Sequence, residues 1–268
     1  MPELPEVQTV VDTLKPKVLG KRLTGVVLHR ADILQPLGFD LTRQLTARTI
    51  NGIHRRGKKI VFELNGGEWF YIHLGMTGRL TVETESTPTL PHTHLVLKFA
   101  KYEVRFRDPR RFGGVFWLGR DNTADANMGP EPLQIRPAQL AKRLAKTTRA
   151  IKNALLDQSV IAGLGNIYVD ESLFRAGLHP LLPANQLSAD DVSRLNRAIK
   201  TTLRRALRHR GSTLRDYLDA NGEAGAFQKL HAVYDREGQR CRRCKQSIQR
   251  IVLGGRSTHF CPECQPAR

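Results

Sequence analysis

The sequence predicts an α+β protein in which a β-rich half is followed by a helical half and by a short cysteine-bearing segment. Short runs rich in β-branched and aromatic residues recur between about residues 22 and 118, and apolar residues recur at helical spacing after them. All four cysteines lie after residue 240. The length of 268 residues suits about two domains, and a hydrophobic content of 40% excludes wholesale disorder.

The first half is predicted to begin with a helix and to continue as a sheet structure. A helix from Pro5 to about Leu14 is expected because four aliphatic residues fall on one of its faces. Polar or glycine-bearing turns separate the runs that follow, as in an antiparallel sandwich or barrel. The predicted strands are Gly25–Leu28, Lys59–Leu64, Trp69–Ile72, Leu95–Phe99 and Val115–Leu118.

A linker rich in Gly, Pro, Asn and Asp is predicted from Asp121 to Pro132, with helices after it. Leu140 and Leu144 fit one helix, and a second begins at a capping sequence at residues 188–191. That second helix carries six basic side chains with no acid among them: Arg194, Arg197, Lys200, Arg204, Arg205 and Arg208. Like charges at this spacing repel, which favours a phosphate backbone alongside, although a solvated face explains the pattern equally well.

The charge balance points to a polyanionic partner. The chain has 43 Lys+Arg against 25 Asp+Glu, a net charge of +18. Nucleic acid is the first expectation because each neutralised phosphate releases counterions, and a merely basic surface is the alternative. The sequence has no run of 18 apolar residues, and residues 1–6 do not resemble a targeting peptide, so no membrane span is expected and the location is expected to be cytoplasmic.

The four cysteines form two Cys-x-x-Cys pairs: Cys241, Cys244, Cys261 and Cys264. Four thiolates at this spacing can converge on one tetrahedral Zn²⁺, the closed arrangement of a structural site. Two redox or disulfide pairs are the alternative, but they need an oxidising compartment. Between the pairs, residues 249–253 and 258–260 are predicted to form a β-hairpin whose glycine turn presents Arg256 near the tip. Since this hairpin is too small to have its own core, the metal is expected to hold it together.

Six motifs occur in the order found in one enzyme family: Pro2–Val7, Arg55–Lys58, His73–Gly78, Asp108–Gly113, Gly163–Tyr168 and the cysteine hairpin. Together they make the chain resemble bacterial formamidopyrimidine-DNA glycosylases over nearly its whole length. The resemblance implies a two-layer antiparallel β-sandwich with flanking helices, then a helix-two-turns-helix domain that ends in the zinc hairpin. We accordingly expect the sandwich domain at 1–120, the linker at 121–132, the helical DNA-binding domain at 133–235 and the zinc finger at 236–268.

The resemblance also implies excision of oxidised purines, chiefly 8-oxoguanine and formamidopyrimidines, followed by nicking of the abasic strand by β,δ-elimination. Removal of Met1 would leave Pro2 as a secondary amine, and the pKa of such an α-amino group, near 8 in reference peptides, allows a nucleophilic neutral form. Its attack on C1′ of the deoxyribose expels the base and gives an iminium. Glu3 is expected to shuttle protons. Lys58 and Arg256 resemble the residues that assist the β- and δ-elimination.

Further residues are expected to contact the DNA. Extrusion of a nucleotide costs a few kcal/mol, which inserted side chains can partly offset. In the family's wedge, which these positions resemble, Met76 fills the void, Phe112 stacks between base steps and Arg110 pairs with the orphaned cytosine. Asn166 follows two glycines and is expected at a phosphate. Five more are candidates for backbone contacts, with surface or packing roles as alternatives: His73, His92, Arg149, Lys152 and Tyr234. Residues 212–227 resemble the mobile loop that closes over the everted base.

Two positions depart from the family's pattern. Gln8 stands where an acid is usual, and Thr93 stands between His92 and His94 where aspartate is common. Neither position carries chemistry in the reaction above.

Two other functions remain alternatives. A sister enzyme of the endonuclease VIII type would prefer oxidised pyrimidines, although Leu4 and the wedge residues favour purines. A non-catalytic zinc-bearing DNA-binding protein would explain the charge and the cysteines, with Pro2 incidental. For the favoured function we expect a monomer with one structural zinc ion, and neither a redox cofactor nor a catalytic metal.

Overall fold

The computed structural model describes residues 2–121 and 127–267. These residues form two compact units, the first from residues 2–121 and 209–226 and the second from residues 127–208 and 227–267. Segment 209–226 therefore departs from the predicted boundaries, which assigned it to the helical domain. The centre of the predicted linker, residues 122–126, lies outside the described residues.

The first unit contains two β-sheets. Its strands are β1 (Gly25–Leu28), β2 (Leu34–Gln35), β3 (Ile50–Arg56), β4 (Lys59–Leu64), β5 (Trp69–His73), β6 (Arg79–Glu83), β7 (Thr93–Lys98), β8 (Glu103–Arg107) and β9 (Gly114–Gly119). One sheet has the order β1-β7-β8-β6 and the other β2-β9-β5-β4-β3. All neighbours are antiparallel except β2 and β9, which pair in parallel over two residues.

Apolar side chains from both sheets meet in one core, together with the buried face of helix α1 (Leu4–Val18). This helix is longer than the predicted one, and Val7, Val10 and Leu14 on its buried face are completely inaccessible to solvent. Helix α2 (Leu41–Leu45) is short and is capped by the Asp40 carboxylate. The predicted two-layer sandwich with flanking helices is confirmed.

The returning segment 209–226 packs against this same unit. Tyr217 and Ala220 belong to the sandwich core. The Val82 amide donates to the carbonyl of Ala220 at 2.8 Å, and the Ala220 amide donates to Thr13 Oγ1 at 3.2 Å. In the structure, therefore, most of the predicted lesion loop is anchored on the sandwich.

The second unit is helical and ends in a hairpin. Its elements are α3 (Pro137–Leu144), α4 (Ile151–Leu156), α5 (Asn166–Ala176), α6 (Ala189–Arg208), β10 (Gln249–Leu253) and β11 (Arg256–Phe260). Strands β10 and β11 pair in antiparallel register, with Leu253 opposite Arg256. Gly254 and Gly255 form the two-residue turn with φ of +57° and +73°, a backbone that favours glycine at both positions. Across both units, none of the helices that the structure describes is long and apolar enough to span a bilayer.

Candidate active site and zinc centre

The predicted nucleophile lies directly before α1 in the first unit. Pro2 and Glu3 are both buried, and Glu3 is the N-cap of the helix. One carboxylate oxygen of Glu6 accepts the backbone N–H of Glu3 at 2.8 Å, the return half of a capping box. The other oxygen accepts the N–H of Ser212 at 2.7 Å. Glu6 thus holds the backbone beside Pro2 and ties segment 209–226 to the same point, a link across 206 positions that no local pattern could reveal.

Lys58 lies in the two-residue turn between β3 and β4, where Arg56 pairs with Lys59. Its side chain is only 8% exposed. The guanidinium of Arg55 donates to the carbonyl of Gly57 in this turn and to the side-chain oxygen of Gln8, both at 3.0 Å. Gln8 therefore supplies the acceptor that an acid would supply at this position, and the departure from the family's pattern keeps this bond between Arg55 of β3 and α1.

The three predicted wedge residues lie on two loops, residues 74–78 and residues 108–113, which we call the wedge loops. Met76 is 40% exposed and Phe112 is 56% exposed. The guanidinium carbon of Arg110 lies 4.6 Å from the centre of the Phe112 ring. Their exposure excludes a core role for Met76 and Phe112 and is what an inserted wedge requires.

Asp108 fastens the wedge loops to each other. It is fully buried, and its carboxylate accepts the Thr77 hydroxyl and, at 2.7 Å, the Gly113 amide. A Cβ atom at Gly75 would lie 2.3 Å from the Gly113 nitrogen and 2.4 Å from the Phe112 carbonyl carbon, so this close approach requires glycine. Sequence reasoning missed this positioning role of Asp108, although the residue stands at the head of the wedge motif.

The two candidate histidines of the first unit differ. Burial lowers the pKa of His73, and the nearby Lys58 and Lys59 lower it further, so its ring is neutral at pH 7. Its Nδ1 accepts the Gly75 amide at 3.2 Å, which leaves the proton on Nε2 as a donor. His92 is exposed and has a φ of +67°, and its carbonyl accepts the Asp108 amide at 3.0 Å.

In the second unit, burial contradicts the predicted phosphate contact of Lys152. This side chain is completely buried, and its ammonium lies 2.7 Å from Asp170 Oδ1 and 2.8 Å from the carbonyl oxygen of Ser257. Asp170 Oδ2 also accepts the His259 amide at 2.9 Å. Both Ser257 and His259 belong to β11, so this network attaches the hairpin strand that begins at Arg256 to the helices.

Asn166 joins the same network from the first position of α5. Its Nδ2 donates to the Ser257 carbonyl at 2.9 Å. The preceding turn contains Gly163, with a φ of +84°, and Gly165 is the N-cap. The N–H groups at a helix N-terminus favour anions, which supports the predicted phosphate contact near Asn166. That contact stays a prediction.

The remaining candidates of the second unit have separate surroundings. Arg149 is exposed and pairs with Asp157 at 2.8 Å. Tyr234 is half-buried, with its ring edge-on to that of His259 at 5.2 Å. Arg256 is exposed at the first position of β11. Their DNA contacts and the role of Arg256 in elimination stay predictions.

The four cysteine Sγ atoms all lie within 4.8 Å of one another. The separations are 3.9 Å for Cys241 and Cys264 and 3.4 Å for Cys244 and Cys261. Four sulfurs at 2.3 Å from a tetrahedral zinc ion are about 3.8 Å apart, so the cluster fits this metal. Burial raises the pKa of the Cys261 and Cys264 thiols, a cost of clustering thiolates that a divalent cation offsets.

Comparison with known proteins gives three family models that match in series. The formamidopyrimidine-DNA glycosylase N-terminal domain matches residues 1–115, and its H2TH domain matches residues 128–217. The zinc finger found in FPG and IleRS matches residues 238–267. The chain belongs to the formamidopyrimidine-DNA glycosylase family.

Individual members of the formamidopyrimidine-DNA glycosylase family match along their whole length. The chain is 46% identical to the enzyme of Roseiflexus sp. (strain RS-1) over 274 residues and 43% identical to that of Burkholderia thailandensis over 276 residues. Each alignment covers 99% of this chain and 100% of the relative.

Two solved structures of the Lactococcus lactis enzyme, a mutant bound to Fapy-dG-containing DNA and a complex with abasic-site DNA, are 36% identical to the chain, with TM-scores of 0.94 and 0.93. Each alignment covers 99% of this chain and 100% of the Lactococcus lactis chain. The family and fold predicted from the six motifs are confirmed, and so is the zinc centre.

Proposed function

We propose that this member of the formamidopyrimidine-DNA glycosylase family acts through Pro2 as a bifunctional DNA glycosylase and abasic-site lyase. It removes oxidised purines from double-stranded DNA in base excision repair. The observation that carries the mechanism is the start of α1, where Glu6 holds the backbone of Glu3 directly beside Pro2. The enzyme works as a monomer in the cytoplasm and reaches the nucleoid through its affinity for DNA.

The reaction begins when the neutral Pro2 nitrogen attacks C1′ of the damaged nucleotide. The bond from C1′ to the base breaks, and the base leaves with the electron pair and takes up a proton that the Glu3 carboxyl shuttles. The nitrogen then loses its own proton, and its lone pair expels O4′, so that the C1′–O4′ bond breaks, O4′ takes up a proton and an iminium forms at C1′. This iminium is cationic without a further proton and acidifies C2′. Loss of a C2′ proton expels the 3′ phosphate with Lys58 as proton donor. A second elimination, assisted by Arg256, expels the 5′ phosphate, and water releases the sugar fragment.

The wedge loops open the duplex for this chemistry. Met76 fills the space of the everted nucleotide, Phe112 stacks between base steps, and Arg110 offers its forked donors to the orphaned cytosine. Support comes from the exposure of Met76 and Phe112 and from the bonds by which Asp108 holds both loops.

The zinc ion has a structural role in this mechanism. Cys241, Cys244, Cys261 and Cys264 would hold one zinc ion as a closed four-thiolate site, which would supply structural stability and take no part in the chemical steps. When bound, zinc fixes the base of the hairpin, and the buried network of Lys152, Asp170 and Ser257 fixes its second strand. Arg256 is thereby held for its phosphate contact.

Trapping of the covalent intermediate tests the role of Pro2. The purified protein is incubated with a duplex that pairs 8-oxoguanine with cytosine, and borohydride is added to reduce any iminium. We expect a stable protein–DNA adduct at the N-terminal peptide. One glycine inserted before Pro2 turns its nitrogen into an amide, so the adduct should vanish and base release should fall at least about 1,000-fold.

Two controls make this test decisive. The same glycine added at the C-terminus must leave trapping intact, and mass spectrometry must show that the active protein lacks Met1. An undiminished adduct from the N-terminally extended chain would refute the mechanism. Preferred release of thymine glycol over 8-oxoguanine would instead assign the enzyme to the endonuclease VIII type.

A further inference from the structure

Four arginines line one cavity of the second unit, and the function proposed above uses none of them. The cavity, which we call the arginine pocket, has a volume of about 220 Å³ and lies between α5, α6 and the first Cys-x-x-Cys pair. Its arginines are Arg175, Arg205, Arg242 and Arg243. Three separate elements thus direct guanidinium groups to one place.

The charge of these arginines is not neutralised within the residues 2–121 and 127–267 that the structure describes, where none of the four pairs with a carboxylate. Arg243 lies over the Phe174 ring at 4.4 Å and donates to the Phe174 carbonyl at 3.3 Å. Arg242 donates to the carbonyl of Lys229 at 3.3 Å. Carbonyls and rings orient guanidinium groups but leave their positive charge uncompensated.

Glu171 is the one carboxylate among the residues that line the pocket, and its oxygens are engaged elsewhere. They accept the backbone amides of Ala232, Val233 and Tyr234, each at 2.9 Å. Burial raises the pKa of this carboxyl, whereas the three amide bonds lower it. Glu171 is thus a single carboxylate against four guanidinium groups, and the three amides already occupy its oxygens.

The arginines also act on one another. Burial lowers the pKa of Arg175, the neighbouring Arg205 and Arg243 lower it further, and Glu171 opposes them only in part. An anion bound in the pocket would relieve the repulsion between the arginines. The planar guanidinium groups would donate paired hydrogen bonds to it, a geometry that matches tetrahedral oxyanions.

The size and position of the arginine pocket restrict the kind of ligand that it can bind. Cavities for drug-sized molecules measure about 300–1,000 Å³, so this smaller one suits a single compact group. Asn166 begins α5, whereas Arg175 lies nine residues later, about 14 Å along the axis. Arg242 and Arg243 lie between the zinc ligands, at the end of the hairpin away from Arg256. The pocket is therefore separate from the phosphate contacts predicted at Asn166 and Arg256.

We propose that the arginine pocket is a second binding site for a phosphate group, supplied by a free phosphate compound or by a nucleic-acid backbone. This inference goes beyond the proposed function, because base excision needs no ligand there. A phosphate in the pocket would bridge α5, α6 and the zinc-binding segment.

Amide NMR on the zinc-loaded full chain tests the proposal. Inorganic phosphate is titrated at constant ionic strength by exchange against chloride, and the shifts of residues 175, 205, 242 and 243 are followed. We expect a saturable change at these amides in the wild type. In the Arg175→Gln/Arg205→Gln variant the apparent Kd should rise at least tenfold. The Arg204→Gln/Arg208→Gln variant removes the same amount of charge from positions of α6 that do not line the pocket and should keep the wild-type response.

The outcomes are distinct. Pocket amides that shift without saturating, or that respond equally in both double variants, would overturn the proposal. An undamaged duplex added to phosphate-free protein identifies the source. A response at the same amides that added phosphate reverses assigns the pocket to a nucleic-acid backbone. A response to phosphate alone assigns it to a free phosphate compound. None of these readouts depends on base excision, so the proposed function stands or falls separately.

Discussion

The wedge loops of the first unit and the zinc hairpin of the second, residues 241–264, both present predicted DNA contacts, and a fully buried aspartate fastens each of them. Asp108 accepts from the Thr77 hydroxyl and the Gly113 amide, which are neutral donors. Asp170 accepts from the charged ammonium of Lys152 as well as from the amide of His259. The same residue type thus does the same task with two kinds of partner.

The difference follows from what each element is attached to. The wedge loops extend from strands whose side chains fill the sandwich core, so two neutral hydrogen bonds suffice to align them. The apolar cluster at the zinc hairpin has only five fully buried members: Phe174, Val233, Cys241, Ile248 and Cys261. A small core of this kind needs a metal and a charge pair to stay ordered. Changes to the metal site and the charge pair of the second unit should therefore cost more stability than changes to the neutral anchor of the wedge loops.

Loss of a zinc ligand should give the largest effect. Structural zinc contributes about 10–16 kcal/mol to the folding of small fingers, so Cys244→Ser should disorder the hairpin and weaken DNA binding at least tenfold. The first unit should stay folded, because its core contains no part of the hairpin. Both tryptophans of the chain, Trp69 and Trp117, lie in the first unit and report on it through their fluorescence.

An Arg250→Ser variant provides the matched control, since Arg250 is exposed on β10 and is no zinc ligand. It should retain one zinc per chain by metal analysis and an ordered hairpin by amide NMR. Unchanged DNA affinity in Cys244→Ser would show that the hairpin does not depend on the metal.

Loss of the buried ion pair between Lys152 and Asp170 should give the second-largest effect. Asp170→Asn leaves the Lys152 ammonium buried without a counter-charge, which costs about 3–5 kcal/mol. Urea unfolding of the zinc-loaded protein, followed by helical circular dichroism, measures this loss. Phosphate contacts through Arg256 should weaken as well, which would appear as a shallower salt dependence of DNA binding.

A double variant separates charge from packing. Lys152→Met added to Asp170→Asn removes the orphaned charge while the asparagine oxygen can still accept the His259 amide, so most of the stability should return. If the double variant were as unstable as the single one, the charge pair would not be the source of the cost.

Sequence patterns predicted elements with simple alternation and missed those with buried charge. Strands β1 and β4 have the predicted bounds. Strand β8 was missed because Glu103 and Arg105, two charged residues that bury each other as an ion pair, conceal its apolar pattern. The bounds of helix α5 could not be derived from apolar periodicity, since Asp170 and Glu171 lie on buried positions of it.

The residues of the candidate site also differ in how well the sequence predicted them. Pro2, the wedge residues and the cysteines could be recognised because each lies in a compact motif. The residues that position them have distant partners: Asp108 pairs with Thr77 across 31 positions, and Asp170 pairs with the His259 amide across 89. Such pairs leave no local signal, and for this reason the sequence could not decide between a phosphate contact and a packing role for Lys152.

Loss of the hydrogen bonds by which Asp108 holds the wedge loops should give the third-largest effect. In Asp108→Asn one of the two donors, the Thr77 hydroxyl or the Gly113 amide, faces an NH₂ group, which costs about 1–3 kcal/mol of stability. Excision of 8-oxoguanine should slow more than cleavage of a preformed abasic site, because only excision needs a stable wedge at an intact base pair. Single-turnover rates on the two duplexes measure this ratio.

Thr77→Val is the matched variant, because it removes one donor and leaves the carboxylate bonded to Gly113. It should lose less stability than Asp108→Asn while slowing excision in the same direction. Equal slowing of both reactions by Asp108→Asn would assign the residue a general structural role in place of wedge alignment.

A buried histidine should give the smallest effect, again in the second unit. Burial lowers the pKa of His231 from 6.5 to about 4, so the folded chain holds its ring neutral while the unfolded chain protonates it below pH 6.5. This contribution to stability is intact above pH 6.5 and is lost as the pH falls toward 4. Between pH 7.5 and 5.5 the loss amounts to about 1 kcal/mol.

Urea unfolding of the zinc-loaded protein at pH 7.5 and 5.5 measures this effect against His231→Gln, which cannot titrate. The wild type should lose about 1 kcal/mol more than the variant over this interval. An equal pH dependence in the two proteins would mean that His231 is not held neutral. The His231 ring lies edge-on to that of Tyr234 at 5.5 Å, within the second unit. Equal pH dependence would therefore mean that the second unit buries a protonated ring with no loss of stability. That result would contradict the difference in anchoring between the two units.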